Sequence, residues 1–417
     1  MQMWVYVVRR VALLVPVIIG VMTITFALIT ALGPIQQITS YFGPPPTHGQ
    51  IHTYNPTIPC SVLNSSQTGT CANPLYTQYA SKLGLNQPIF IQWGNYIYRS
   101  FTFQWGLVSN HSAEQQSYLA GLISGQPVAT VLSWLLPYTL ELAILALIII
   151  LLVAIPLGNL SAVYRNRPVD QASRVMSFSG FAFPGFLLAT LIVLAAVLLL
   201  GTSTLIHTPW CPSGETALAE LTGSWPSVQS PGSCAYPGAV AANFGYPAWL
   251  HLGVISHPTG FPTVDALIHG DGWLAVDSLL RMLLPALVIA FGSIAILLRF
   301  VRNSMLEVMN LDFVRTARAK GVPESTVIKR HAGRNSMNVT ITVLGLTFAF
   351  FIGGFPIIED VFQLNGVGLI ITYAVLPNGE DFALIFGSTL LFTFLVVAAN
   401  LIVDVLYAYL DPRVRLG

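Results

Sequence analysis

The chain has 417 residues, of which 54% are hydrophobic and only 8% charged, with mean hydropathy +0.69 and a formal net charge of +1. A soluble domain carries about 25% charged residues. The composition therefore excludes a soluble globular protein and makes the bilayer the solvent for much of the chain. A near-neutral balance also gives no basis for a nucleic-acid partner.

In chain order, Arg9 and Arg10 precede an apolar run over 11–32. Its 22 residues exceed the roughly 7–15 of a signal-peptide core, and no small-x-small cleavage site follows, so a retained membrane helix is predicted. Runs at 132–157, 175–200, 283–300, 339–358 and 382–406 also approach or exceed the about 20 residues a crossing helix needs. The predicted fold is an all-α integral membrane protein with six transmembrane helices. Its organisation is helix one (1–32), an extracellular segment (33–131), helices two and three (132–200), and a second extracellular segment (201–282). Helices four to six follow (283–410), enclosing a cytoplasmic loop at 304–336, and then a tail at 411–417. Pro16, Pro184 and Gly353–Gly354 interrupt the runs, which neighbouring helices can absorb.

Lys and Arg set the orientation. With the N-terminus inside, 15 of the 18 fall on inner segments and only Lys82, Arg99 and Arg281 outside. This positive-inside asymmetry predicts a multi-pass cell-membrane protein with both termini cytoplasmic. The outer segments are rich in Pro, Gly, Ser, Thr and Asn, as at Gly43-Pro44-Pro45-Pro46, and are expected to be irregular. Their tryptophans (Trp93, Trp105, Trp210, Trp225, Trp273) are enough to pack a small external cap. Asn64-Ser65-Ser66 and Asn110-His111-Ser112 are glycosylation sequons. All four cysteines are outside: Cys60 and Cys71 in the first segment, Cys211 and Cys234 in the second. That placement predicts disulfide-containing loops in an oxidising exterior. Of three connectivities, pairing within each loop is the simplest; four free thiols are the alternative.

The inner loop holds the most basic run, LDFVRTARAKGVPESTVIKRHAGRN over 311–335. Asp312 is placed to cap a helix. Phe313, Val314 and Ala317 share one face, with Arg315, Arg318 and Lys320 around the rest. Gly321 stops this helix and Pro323 opens a second. Composition alone allows an ordinary basic loop.

The order of residues resembles something more specific. Asp312-Phe313-Val314-Arg315-Thr316-Ala317-Arg318-Ala319-Lys320-Gly321, then His331-Ala332 and Arg334-Asn335, is similar to the cytoplasmic signature loop of ABC-importer permeases. The branch is the one importing dipeptides, oligopeptides and nickel, of the first-permease type. Gly333 stands where that branch has a larger apolar residue. The resemblance extends to Tyr6 with Arg9-Arg10, Leu136 to Ala143, Ile155 to Gly158, Met282 to Leu287, Asn400-Leu401, Asp404 to Tyr407 and Leu410 to Arg413. It also takes in Glu359, Phe362, Gly366 and Gly368. The Asp that follows the glycine in that family is missing after Gly33, where Pro34 stands. The resemblance implies half of a translocation pathway for peptides, oligosaccharides or similar solutes, with residues 312–321 coupling to an ATPase. It implies as partners a second permease, two ATPase subunits that hold ATP and Mg, and an extracellular substrate-binding protein. This chain itself is expected to bind no cofactor or metal; the pathway-lining residues are not readable.

No catalytic set appears. The chain has three lysines, none in G-x-x-x-x-G-K-[ST], so ATP must be hydrolysed elsewhere. The histidines around 251–271 fit no compact metal spacing. Glu141 and Asp404 lie within apolar runs, where an ionisable group is costly. They serve either a proton or cation relay, as in an ion-coupled secondary transporter, or interhelical hydrogen bonds near the membrane edges. Their positions favour the second.

Overall fold

The structure, a computed structural model, describes residues 3–32, 54–59, 71–72, 80–108, 125–200, 259–268, 270, 272–352, 354–362, 364, 366–375 and 381–410. The elements are helical apart from one parallel pairing of β1 (Tyr54–Pro59) with β2 (Cys71–Ala72) and an isolated bridge between Leu107 and Pro127. The helices are α1 (Met3–Leu32), α2 (Ile89–Phe101), α3 (Val128–Val163), α4 (Pro168–Ala182), α5 (Gly185–Leu200), α6 (Pro262–Ile268) and α7 (Gly272–Met309). Then come α8 (Asp312–Ala319), α9 (Glu324–Thr326), a π-helical segment (Val327–Gly333), α10 (Arg334–Ile352), α11 (Pro356–Val361), α12 (Val367–Val375) and α13 (Phe382–Leu410).

Among the described residues, four helices are long and apolar enough to cross a membrane, or five if α4 and α5 count as one span. The six expected runs differ from this in physical ways. Pro16, Pro137, Pro156 and Pro285 are absorbed inside continuous helices. Pro184 is not: α4 and α5 meet at 98° rather than forming the straight third helix expected over 175–200. Proline lacks an N–H and pushes the preceding residue out of the α region, and Phe183 is accordingly extended at ψ 114°. The fifth run is also broken. α10 stops at Ile352, Gly354 takes φ +79°, and Pro356 opens α11 at the first helical position. α1, α3, α7 and α13 are all longer than their apolar runs, most of all α3 with 36 residues and α7 with 38.

The segment over 33–131 is not wholly irregular. α2 sets Ile89, Trp93, Tyr96 and Ile97 at helical spacing. It docks on α1 through Trp93 Nε1–H, which donates to Thr23 Oγ1 (3.1 Å), and Tyr96 O–H, which donates to Thr25 Oγ1 (2.9 Å). Cys60, Cys211, Cys234, the two sequon asparagines and the side chain of Cys71 lie outside the described residues, and the disulfide expectation with them.

α3 and α7 form the most extensive helix pair. Along α3, Ala146, Ile150, Ala154, Gly158 and Ala162 recur every fourth residue, and all are buried. Lipid tails are as apolar as leucine, so helices in a bilayer associate mainly by close packing across small residues. Ala286, Ala290 and Ala295 of α7 answer with small residues of their own. A Cβ at Gly158 would lie 2.7 Å from the Val301 side chain and 3.2 Å from the Leu298 carbonyl oxygen. Around this seam gather α5, α10 and α11, contributing Ala189, Phe351 and Ile358. A second cluster joins α1, α2, α12, α13 and the first turns of α3 through Met22, Tyr96, Val367, Leu384 and Leu132.

Gly158→Leu is expected to separate α3 from α7, costing about 1–3 kcal/mol as overpacking does. A lowered thermal unfolding midpoint in detergent checks it; an unchanged midpoint would show the seam to be looser than described.

Candidate functional site

At one end of the bundle α7 continues without interruption to Met309, and Asn310 and Leu311 turn the chain into α8. Leu311 is the N-cap, with no side-chain hydrogen bond, so Asp312 is the first helical residue rather than the expected cap. Its carboxylate still lies at the positive end of the helix dipole. The far end follows the Schellman pattern: Val322 N–H donates to Ala317 O (3.2 Å) and Gly321 N–H to Arg318 O (2.9 Å). Gly321 takes φ +75°, the left-handed turn that makes it the expected stop.

The apolar face of α8 divides in two. Val314 is fully buried and Ala317 8% exposed, packed with Met305 and Val308 of α7, Val327 and Ala332 of the π segment, and Ala162 of α3. These two rivet α8 to its own chain. Phe313 (39% exposed) and Leu311 (43%) are left outward, as are Arg315, Thr316, Ala319 and Lys320. Pro323 caps a helix as expected, but α9 has three residues and runs through the π segment into α10. Arg318 spans the turn after α8, donating to Glu324 through Nη2 (2.7 Å) and Nε (3.1 Å). The guanidinium holds the Glu324 carboxyl below its ordinary range.

Beside this assembly lies a polar cluster that sequence patterning does not single out. Asp170, in the first turn of α4, is fully buried. Its carboxylate accepts from Arg302 Nε (2.7 Å) and Nη2 (3.2 Å), Arg174 Nη2 (2.8 Å), Ser161 Oγ (2.7 Å) and Asn166 N–H (2.9 Å). It thus ties α4 to α3 and to α7 seven residues before α8's approach begins at Met309. The available signal was a single acid in a run otherwise basic, at Arg165, Arg167 and Arg174, four residues before the last of them.

A second cluster lies away from α8. Glu359 of α11 is fully buried. Thr139 Oγ1 donates to its Oε1 (3.0 Å), Leu369 N–H donates to its Oε2 (3.0 Å), and Val367 N–H donates to Thr139 Oγ1 (2.9 Å). The carboxyl and hydroxyl thereby satisfy the first N–H groups of α12 and bind them to α3. A Cβ at Gly366 or Gly368 would run into the same carboxyl group, and Phe362 is fully buried in the apolar cluster around α3 and α7. Glu359, Gly366 and Gly368, three residues carrying the family resemblance, are therefore one packed unit.

Of the two intramembrane acids, Asp404 pairs with Arg10 across α13 and α1 at 3.2 Å, an interhelical contact as favoured. Glu141 lies beside Thr263 of α6. The two acids stand on different helices with separate partners.

The family model for binding-protein-dependent transport system inner membrane components matches residues 154–416. Among similar proteins, one described as a D,D-dipeptide transport system permease of Escherichia coli is 32% identical over 81% of this chain and 83% of its own length. An oligopeptide transport system permease of Bacillus subtilis is 26% identical over 98% of this chain and 99% of its own. A peptide transport system permease of Brucella abortus is 32% identical over 80% of this chain and 82% of its own.

Asp170→Asn leaves the Arg302 guanidinium, 15% exposed, short of its counter-charge. Breaking a buried pair from one side costs about 3–5 kcal/mol, and thermal unfolding in detergent is expected to show a loss of that order. Glu324 has a depressed folded-state pKa, so its contribution is present above the ordinary glutamate range and lost as pH falls through the depressed value. Amide-exchange protection across 318–324, taken relative to the intrinsic rate at each pH, is expected to fall on that acid side and to hold between pH 6 and 8.

Proposed function

Because the chain belongs to the family of binding-protein-dependent transport system inner membrane components, we propose that it is the permease subunit of an ATP-driven peptide importer that couples to separate ATPase subunits through α8. The observation that carries this is the division of α8: Val314 and Ala317 fasten it to α7 and the π segment, while Leu311, Phe313, Arg315 and Lys320 face outward. A partner's push on the outward face passes to α7 on one side and α10 on the other. Phe313 and Leu311 are the apolar anchors, and Arg315 and Lys320 orient the partner more than they hold it. Val314 and Ala317 belong to the fastening, not the docking.

In this mechanism two ATPase subunits, carrying ATP and Mg, close and carry α8 with them. The loop bearing α8 is cytoplasmic, as are both termini. ATP shifts the permease between its two states only through contacts that differ between them, with a coupling of a few kcal/mol. One subunit supplies half the pathway. Ile144, Ile148 and Leu152 on α3 and Leu346 and Phe350 on α10 are exposed apolar side chains that leave room for a second permease beside lipid. An extracellular binding protein delivers the cargo. Peptides are the cargo class, because the similar proteins described above are peptide-system permeases.

Co-purification with the ATPase subunits tests this. Phe313→Glu is expected to reduce the retained ATPase about tenfold or more, equivalent to at least about 1.4 kcal/mol, with the permease still folded. Ala317→Glu is expected to lower the yield of folded permease itself. Undiminished binding by Phe313→Glu would remove α8 as the docking element.

A further inference from the structure

A groove with a volume of about 670 Å³ runs between the last turns of α3 and the π segment, floored by Met305 of α7. That size falls within the roughly 300–1,000 Å³ of small-molecule sites. Its wall is apolar, including Leu160, Val163, Ile328 and Met337, and Lys329 and Arg334 stand at its rim. Both cations are exposed, and among the described residues neither enters an ion pair. The nearby Glu324 is taken by Arg318.

The backbone explains why the two cations meet. In an α-helix, residues five apart point about 140° apart; the wider i→i+5 winding brings them closer in direction. Lys329 lies in the π segment and Arg334 follows it directly, and both line the groove. Gly333 completes the groove. It lines the cavity, and a Cβ there would sit 3.0 Å from Ile328 O.

We infer that the groove binds an anionic phospholipid from the leaflet at the α8 end of the bundle. Two cations above an apolar trough match a phosphodiester above its acyl chains. Tyr164, where α3 ends, lines the same groove and supplies the amphipathic ring usual at headgroup depth. Basic pockets between membrane helices select lipids by this arrangement. A compact anion would satisfy the cations and leave the trough empty. The inference does not depend on α8 docking to an ATPase, since the ligand meets the permease alone.

Native mass spectrometry of the purified full chain, titrated with phosphatidylglycerol or phosphatidylcholine of identical acyl chains, tests it. Phosphatidylglycerol is expected to bind more tightly. Lys329→Gln with Arg334→Gln is expected to cut that binding about tenfold and leave phosphatidylcholine unchanged. Leu160→Trp fills the trough without altering charge and is expected to weaken both lipids, which keeps the test decisive if the double variant folds poorly. Equal binding of the two lipids, or native-like phosphatidylglycerol binding by both variants, would overturn the inference. Displacement of the lipid by an equal concentration of inorganic phosphate would overturn it too, making this a site for a free anion.

Discussion

The close approach of α3 to α7 is the constraint on which the remaining arrangement rests. Alanines and Gly158 bring the two backbones together, and no larger residue fits at that glycine. In water such a seam would gain from expelling solvent; between lipid-exposed helices it gains chiefly from dispersion contacts made at short range. Its geometry is therefore exacting. Every element of functional interest is attached to one or other of these helices: α8 continues from α7, the π segment packs over both, and α12 hangs on α3.

α3 is fixed by hydroxyl groups at its last turn and about a third of the way along. Ser161 takes part in the Asp170–Arg302 cluster, and Thr139 in the Glu359 cluster. Twenty-two residues separate them, about 33 Å along an α-helix axis, close to the thickness of a bilayer core. The clusters differ in how they balance charge. Asp170 meets two guanidinium groups. Glu359 meets the Thr139 hydroxyl and a backbone N–H donor at the start of α12. Both anchor a short helix to the long one, so α3 is a strut rather than a passive span.

Much of this was legible in the sequence, for identifiable reasons. Membrane character followed from composition, and α8 with its Gly321 stop followed from spacing and turn chemistry. Glu359, Gly366 and Gly368 were noticed only as a resemblance; the packing gives the physical reason they go together. The breaks were harder. Pro16, Pro137, Pro156, Pro184 and Pro285 look alike in a sequence, yet only Pro184 bends its helix sharply, because neighbours decide whether a missing hydrogen bond is tolerated. The division of α8's apolar face was also hidden. Val314 and Ala317 share a stripe with Phe313, and a stripe does not say which of its members a chain covers for itself. Asp170 and Arg302 lie 132 residues apart, beyond the reach of any local pattern.

The Schellman end of α8 and its two buried rivets have a thermodynamic corollary. Ordering the backbone of a residue costs about 1–2 kcal/mol, so shaping eight residues at the moment of encounter would cost on the order of 10 kcal/mol. Here that entropy is already lost when the chain folds. A partner docking at Phe313, as proposed above, would meet a finished shape, and nearly all the free energy of its contacts would remain for affinity and for moving α7 and α10.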